Sequence, residues 1–111
     1  MIVQIYHRDI TKCNTHVANV VLTTMPKTHE DALERAYEAT QNVFGSWSKG
    51  PMLGQEPNPD YNRVPGVEVQ VLEPLRNIKG VEYGHRSSMV GDKFVIGDFT
   101  YEVDFCGFKG V

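Results

Sequence analysis

The stretch Lys93-Phe94-Val95-Ile96-Gly97-Asp98-Phe99-Thr100-Tyr101-Glu102-Val103, which follows Arg86-Ser87-Ser88-Met89-Val90-Gly91-Asp92, decides the fold. Gly97-Asp98 suits a two-residue hairpin turn with glycine first. In that register Phe94 faces Tyr101, and Lys93 faces Glu102 with opposite charge. A slip of one residue would turn the apolar side chains to water. We therefore predict a β-hairpin with one apolar face, which Phe105 continues and which consists of Phe94, Ile96, Phe99, Tyr101 and Val103.

An amphipathic helix is predicted over residues 29–44. Thr28 is a suitable N-cap, and Asp31 three residues later forms an imperfect capping box. Asp31 is also placed to pair with Arg35 one turn further on, and Gly45 is a natural stop. The buried face is expected to carry the residues that recur at helical spacing, namely Leu33, Ala36, Tyr37, Thr40 and Phe44.

Three further segments predict strands of the main sheet. Residues 2–7 and 16–24 are rich in β-formers and are expected to pair antiparallel, whereas Val67–Val71 alternates strictly. A short edge strand is expected within 78–83. Five strands and one helix predict a single α+β domain over residues 1–111, a curled antiparallel sheet of about five strands with the helix packed on it.

The segment from Gly45 to Gly66 contains four glycines and four prolines. A loop of this length in a small domain is usually functional or mobile. Trp47 and Met52-Leu53 lie inside it. Two interpretations remain open, because these apolar side chains can anchor the loop to the core or form an exposed contact patch.

Composition narrows the class of protein. The chain has 111 residues, a formal net charge of -3 and two cysteines. Its longest apolar run, 17–22, is far shorter than the roughly 20 residues of a membrane helix. We expect a cytoplasmic protein, with no membrane contact and with both thiols reduced.

No residue pattern calls for a cofactor, a metal or a catalytic group. Cys13 and His16 form one C-x-x-H pair, although a structural zinc site normally shows two pairs. Cys106 beside Phe105 fits a small buried side chain better than a nucleophile. A small metal- or ligand-dependent enzyme that uses Cys13, His16 and His85 stays as an alternative.

One modest basic cluster surrounds Tyr83, which suits single-stranded nucleic acid. Its few charges and the acidic balance of the chain argue against tight binding. A nucleic-acid-associated domain is therefore a second alternative, with the cations Arg76, Lys79, Arg86 and Lys93.

Several pieces of the chain resemble small bacteriophage- and plasmid-encoded proteins of unknown biochemistry. The matching pieces are Leu33 to Asn42, Trp47, Arg86 to Asp92, Tyr101-Glu102-Val103 and Gly107-Phe108. The resemblance implies a mobile-element accessory protein, a class that often works by binding host machinery.

The leading prediction is stoichiometric binding to a host protein, without turnover, in host takeover or counter-defence. Aromatic and arginine side chains dominate the binding energy of protein interfaces. The predicted partner-binding residues are Trp47, Met52, Leu53, Tyr61, Tyr83, His85 and Arg86.

Overall fold

Six strands form one antiparallel sheet, with the strand order β10-β9-β8-β1-β2-β5. The computed structural model describes residues 1–111. Two short hairpins, β3-β4 and β6-β7, stand outside this sheet. The elements in chain order are β1 (Ile2–Arg8), β2 (Asn14–Leu22), α1 (His29–Ala39), β3 (Met52–Leu53), β4 (Glu56–Pro57), β5 (Val67–Val71), β6 (Arg76–Ile78), β7 (Val81–Tyr83), β8 (Lys93–Ile96), β9 (Phe99–Asp104) and β10 (Gly107–Gly110).

The predicted α+β class is confirmed, and the sheet is larger than predicted. The extra strand of the sheet is β10, because the chain turns back after Asp104 and pairs with β9. Strand β1 joins the N-terminal and C-terminal strands of the sheet, since it pairs with β2 on one side and with β8 on the other. The single edge strand expected within 78–83 is half of the separate hairpin β6-β7.

The C-terminal hairpin has the predicted register, with Phe94 opposite Tyr101 and Ile96 opposite Phe99. Phe94 is fully buried, whereas Phe99 is 60% exposed and packs against the ring of His29, the first residue of the helix. The prediction for Phe105 is wrong, because this residue lies in the turn after β9 and is exposed.

The charged face of this hairpin differs in one detail from the prediction. Lys93 lies opposite Glu102 as expected. The ion pair of Glu102, however, is formed with Lys109 of β10, at 3.0 Å. The added strand therefore supplies the cation that the hairpin alone was expected to supply.

The start of the helix is confirmed and its end is earlier than predicted. The Asp31 N–H donates to the Thr28 hydroxyl at 3.1 Å. The helix ends at Ala39, with Thr40 as its C-cap, and Phe44 is exposed. Arg35 does not pair with Asp31, because its guanidinium donates to main-chain oxygens of Thr24 and Gly66.

Gly45 is needed for close packing and does not stop the helix. The loop folds back on itself, so that the Ser46 N–H donates to Asp60 O at 3.0 Å and Ser46 O accepts from the Asn62 N–H. A Cβ atom on Gly45 would lie 2.5 Å from the Tyr61 nitrogen. No larger residue fits here without moving the main chain.

The core lies between the helix and one face of the sheet. Inward side chains of β1 and β2 meet the small and branched residues of the helix, while Tyr37 contacts Phe94 and Phe108. The buried apolar residues are Val3, Ile5, Val17, Ala18, Val20, Leu22, Ala32, Leu33, Ala36, Ala39, Trp47, Phe94, Ile96 and Val103. No helix in the structure is long and apolar enough to cross a membrane.

Candidate functional site

Trp47 is completely buried, so its prediction as a partner-contact residue is wrong. Its indole N–H donates to the Arg86 carbonyl oxygen at 2.8 Å, and its main-chain N–H donates to Asn42 Oδ1 at 3.0 Å. Its ring lies 5.8 Å from the rings of His7 and His85, centroid to centroid. Of the two interpretations of this loop residue, anchorage to the core is the correct one.

Next to Trp47, Arg86 and Asp92 form a two-point ion pair. The two guanidinium–carboxylate distances are 2.6 and 2.7 Å, and the Asp92 side chain is 1% exposed. The Asp92 carboxylate also accepts from the main-chain N–H groups of Arg8 and Met89, each at 2.8 Å. A buried charge is tolerated when its lone pairs are occupied in this way.

These contacts set the ionisation of the pair. Burial by itself would raise the pKa of Asp92, but the hydrogen bonds from Arg86 and from two main-chain N–H groups outweigh it and lower that pKa. The hydrogen bond to Asp92 raises the pKa of Arg86. Both groups are therefore charged at neutral pH, and the guanidinium of Arg86 is largely committed to holding the fold.

A relay of hydroxyl groups fixes the tautomer of His7. The Thr40 hydroxyl donates to the Ala36 carbonyl at 3.0 Å, and the Ser88 hydroxyl donates to Thr40 Oγ1 at 2.8 Å. Ser88 Oγ can then only accept from His7 Nε2, which lies 3.0 Å away. Nε2 therefore carries the hydrogen and Nδ1 carries the lone pair.

Burial lowers the pKa of His7 to about 4, and the nearby charge of Asp92 only partly opposes this effect. The positive charge of Arg86 lowers the pKa further. His7 is consequently a neutral imidazole across the physiological pH range.

A polar cleft of about 410 Å³ opens beside this cluster. Its walls are the end of β1, the start of β2 and the two segments that contain Glu73 and His85. The His85 Nε2 atom lies 2.8 Å from the Glu73 carbonyl oxygen, which links these two segments. The lining residues are His7, Arg8, Asp9, Thr15, Val17, Glu73, Pro74, Arg76, His85 and Arg86.

Apart from the buried Trp47, the predicted partner-binding residues lie in three places. His85 and Arg86 line the polar cleft, and Tyr83 is adjacent because it pairs across the β6-β7 hairpin with Arg76. Met52 and Leu53 are exposed on the β3-β4 hairpin. Tyr61 lines a separate cavity of about 470 Å³ beside strand β5.

His7, Thr40, Ser88 and Asp92 are the site residues that sequence reasoning missed. One signal for His7 was available, since it follows Val3 and Ile5 in the inward phase of β1. Ser88 and Asp92 lie in the segment that the sequence singled out, but nothing in that segment showed that they are buried.

The structure does not bring together the residues of the enzyme alternative, Cys13, His16 and His85, as a metal site. Cys13 and Cys106 are both exposed free thiols, so the prediction of a buried Cys106 is wrong. His16 stacks on Tyr6 and hydrogen-bonds Asn19. No group of three or more His, Cys, Asp or Glu side chains is placed to hold a metal ion.

The cluster itself is poorly arranged for nucleophilic catalysis. Ser88 is 2% exposed, and its hydroxyl hydrogen is used by Thr40. His7 Nδ1 has no hydrogen-bond partner within the protein, but the His7 side chain is itself buried.

Comparison with protein-family models, with curated proteins and with solved structures finds no match to this chain.

Proposed function

We propose that this chain is a mobile-element accessory protein that works by stoichiometric binding to a host protein in the host cytoplasm. The resemblance of two separate segments to phage and plasmid proteins supports the class. The exposed β6-β7 hairpin supports binding to a partner protein as the mode of action. We assign to the contact surface Tyr83, His85 and the solvent-exposed part of the Arg86 side chain, with Trp47 beneath it.

The observation that carries this proposal is the exposure of the whole β6-β7 hairpin. All six of its strand residues are exposed, and Ile78, Val81 and Tyr83 are among them. None of these three side chains belongs to the core. An element that leaves its large apolar side chains in water adds little to folding stability and is suited to contact with a partner.

Met52 and Leu53 form a second exposed apolar pair, in strand β3 of the β3-β4 hairpin. We assign them to the same contact function, as an independent part of the surface. The cleft between β1 and His85 supplies polar groups beside the apolar hairpin. This mixture is typical of a transient interface, in which an apolar centre has a polar rim.

The test uses the full chain with an affinity tag, expressed in a bacterial host. We expect one host protein to co-purify, and the purified pair to elute as a one-to-one complex in size-exclusion chromatography. Changing Ile78→Ser together with Val81→Ser should abolish the complex, because both side chains lose their apolar contact area.

Phe105→Ser is the control, since Phe105 is an even more exposed apolar residue (88%, against 43% for Ile78 and 54% for Val81) and lies in the turn between β9 and β10. This variant should retain the complex. If the hairpin variant retains it as well, or if the only proteins captured are substoichiometric, the proposal is wrong.

Nucleic-acid binding is the competing outcome. Of its four candidate cations, Arg86 is already neutralised by Asp92, whereas Arg76 and Lys79 are free on the exposed hairpin. Binding to single-stranded DNA or RNA that weakens steeply with added salt would favour this alternative. Under the protein-binding proposal, no such salt-sensitive complex forms.

A further inference from the structure

Strand β5 leaves one side of its main chain without hydrogen-bond partners. It is the last strand of the sheet and pairs only with β2. Gly66 before the strand and Leu72 after it are both hydrogen-bonded toward the β2 side, at 3.0 and 2.8 Å. Hydrogen bonding alternates along an antiparallel pair, so the N–H and C=O groups of Val67, Val69 and Val71 point away from β2.

The opposite edge of the sheet is protected against the addition of a strand, whereas this edge is not. Strand β10, at the far edge, has four residues, with a glycine at each end and Lys109 between them. Short length, glycine and lysine all discourage edge pairing. Strand β5 contains no glycine, proline or lysine, and its pairing with β2 has no bulge.

We propose that β5 pairs antiparallel with β5 of a second copy of this chain, about a two-fold axis at Val69. In this register Val69 faces Val69 of the second copy, and Val67 faces Val71. Each of these pairs exchanges two main-chain hydrogen bonds, because all three residues direct their polar groups outward. Both copies use the same surface, as a closed dimer requires.

The side chains of β5 fit this register. Glu68 and Gln70 are exposed. The two-fold axis sets Glu68 of each copy opposite Gln70 of the other, so that no two carboxylates meet. A shift of two residues toward the start of the strand sets Glu68 opposite itself, which is destabilising. A shift in either direction also leaves one of the three valines facing a residue outside β5.

A cavity of about 470 Å³ follows the same edge. Residues 67–69 all line it, although successive side chains of a strand point to opposite faces, so it runs along the main chain of β5. The axis brings Leu72 of each copy, which is 49% exposed, to Gly66 of the other, next to Pro65 in the cavity wall. Pairing therefore also shields an apolar side chain that the single chain leaves in water.

The first test measures the mass of the full chain by sedimentation equilibrium, at concentrations from about 1 μM to about 1 mM. We expect an equilibrium between monomer and dimer with no larger species, because the contact uses up the one unprotected edge. A chain that stays monomeric throughout, or that grows beyond the dimer, overturns the proposal.

Hydrogen exchange of single amides locates the contact. The amides of Val67, Val69 and Val71 should exchange more slowly as the concentration rises, since only the dimer supplies their acceptors. The amides of Glu68 and Gln70 face β2 and should be protected at every concentration. A dimer in which the three valine amides stay unprotected uses another surface and overturns the placement.

Charge changes on the exposed face test the register. Gln70→Glu sets two carboxylates opposite each other at two places and should weaken dimerisation by about 2- to 30-fold. Gln70→Lys sets a cation opposite each Glu68 and should strengthen it by a similar factor. The double variant Glu68→Gln, Gln70→Glu keeps one carboxylate in each cross-strand pair and should dimerise like the natural chain. Equal dimerisation of both single variants overturns the register.

Asn14→Asp and Asn14→Lys are the matched controls for net charge. Asn14 is exposed and lies outside the part of β2 that pairs with β5. Both changes should alter the dimerisation constant by less than about twofold. Effects as large as those at Gln70 would mean that net charge alone governs association, and would overturn the proposed pairing.

The dimer and the proposed host-protein contact are tested separately. Ile78→Ser with Val81→Ser alters the β6-β7 hairpin and should leave the dimerisation constant unchanged. No host protein is present in these measurements, so failure of the dimer leaves the proposed function standing.

Discussion

Arg86 and Asp92 form an ion pair in which each member also holds one main-chain group of Arg8. The Asp92 carboxylate accepts from the Arg8 N–H at 2.8 Å, and the Arg86 guanidinium donates to the Arg8 carbonyl at 3.0 Å. The backbone pairing of β1 with β8 ends at Tyr6. The Arg86–Asp92 pair therefore extends the hydrogen bonding of β1 by two residues, to Arg8. In this way the segment 86–92 is fastened to the end of β1, and the wall of the cleft is fixed.

Asp92→Asn should destabilise the protein by about 3–5 kcal/mol, because it leaves the Arg86 charge without its partner in a partly buried place. The free energy of unfolding in urea, followed by circular dichroism, measures the effect. Asp60→Asn is the control, since it breaks the exposed Lys49–Asp60 pair and should cost less than about 1 kcal/mol. Similar losses in both variants would contradict the structural role of the Arg86–Asp92 pair.

Stability should decrease as the pH falls from about 6.5 towards 4. Burial holds the pKa of His7 near 4 in the folded protein, whereas an unfolded histidine has a pKa of about 6.5. Between these values the unfolded chain binds a proton that the folded chain does not, so acid favours unfolding by up to about 3 kcal/mol. The contribution is complete above pH 6.5.

The measurement is a series of urea titrations across this pH range, with His7→Gln as the comparison. The amide of glutamine can still donate to Ser88 but does not titrate. Its profile should be flatter than that of the natural protein over the same interval. Asp92 contributes at lower pH, because its folded-state pKa is below the ordinary value. Parallel profiles for the two proteins would show that His7 is not the group responsible.

Trp47→Phe should cost about 1–3 kcal/mol, since it removes the hydrogen bond to the Arg86 carbonyl and leaves that oxygen and some space unfilled. Phe44→Ser, at an exposed position of the same loop, should change stability by less than about 0.5 kcal/mol. Thermal unfolding followed by circular dichroism compares the two. In the natural protein, acrylamide should quench the fluorescence of Trp47 only weakly. Strong quenching would mean that this side chain is exposed.

Gly45→Ala should destabilise the fold by about 2–3 kcal/mol, because the new methyl group would meet main-chain atoms of Asp60 and Tyr61. Gly54→Ala tests backbone strain alone, since Gly54 has a φ of 66° with open space around it. That change should cost about 1 kcal/mol. Urea unfolding of both variants gives the comparison, and a smaller loss at Gly45 than at Gly54 would refute the close packing of the loop.

Local sequence patterns were sufficient to predict the elements that depend on residues close together in the chain. The Gly97-Asp98 turn and the alternation on either side of it determine one register, and that register is confirmed. The Thr28 cap likewise depends on residues three positions apart, and it is present. The helix end at Ala39 could not be predicted in this way, because helical periodicity continues to Phe44, whereas the carbonyls of Thr40 and Gln41 accept from the distant Ser88 and Asn62.

Sequence alone determined the α+β class, the hairpin register and the start of the helix, because each follows from side chains a few residues apart. Only the tertiary structure decided that Trp47 is buried and that His7 reaches Ser88, 81 residues away in the chain. Composition could not make that choice, since a loop tryptophan is equally consistent with a core anchor and a surface contact. The hydrogen bond from the Trp47 indole to the Arg86 carbonyl, 39 residues away in the chain, settles it, because long-range packing determines which polar groups leave water and therefore must find partners.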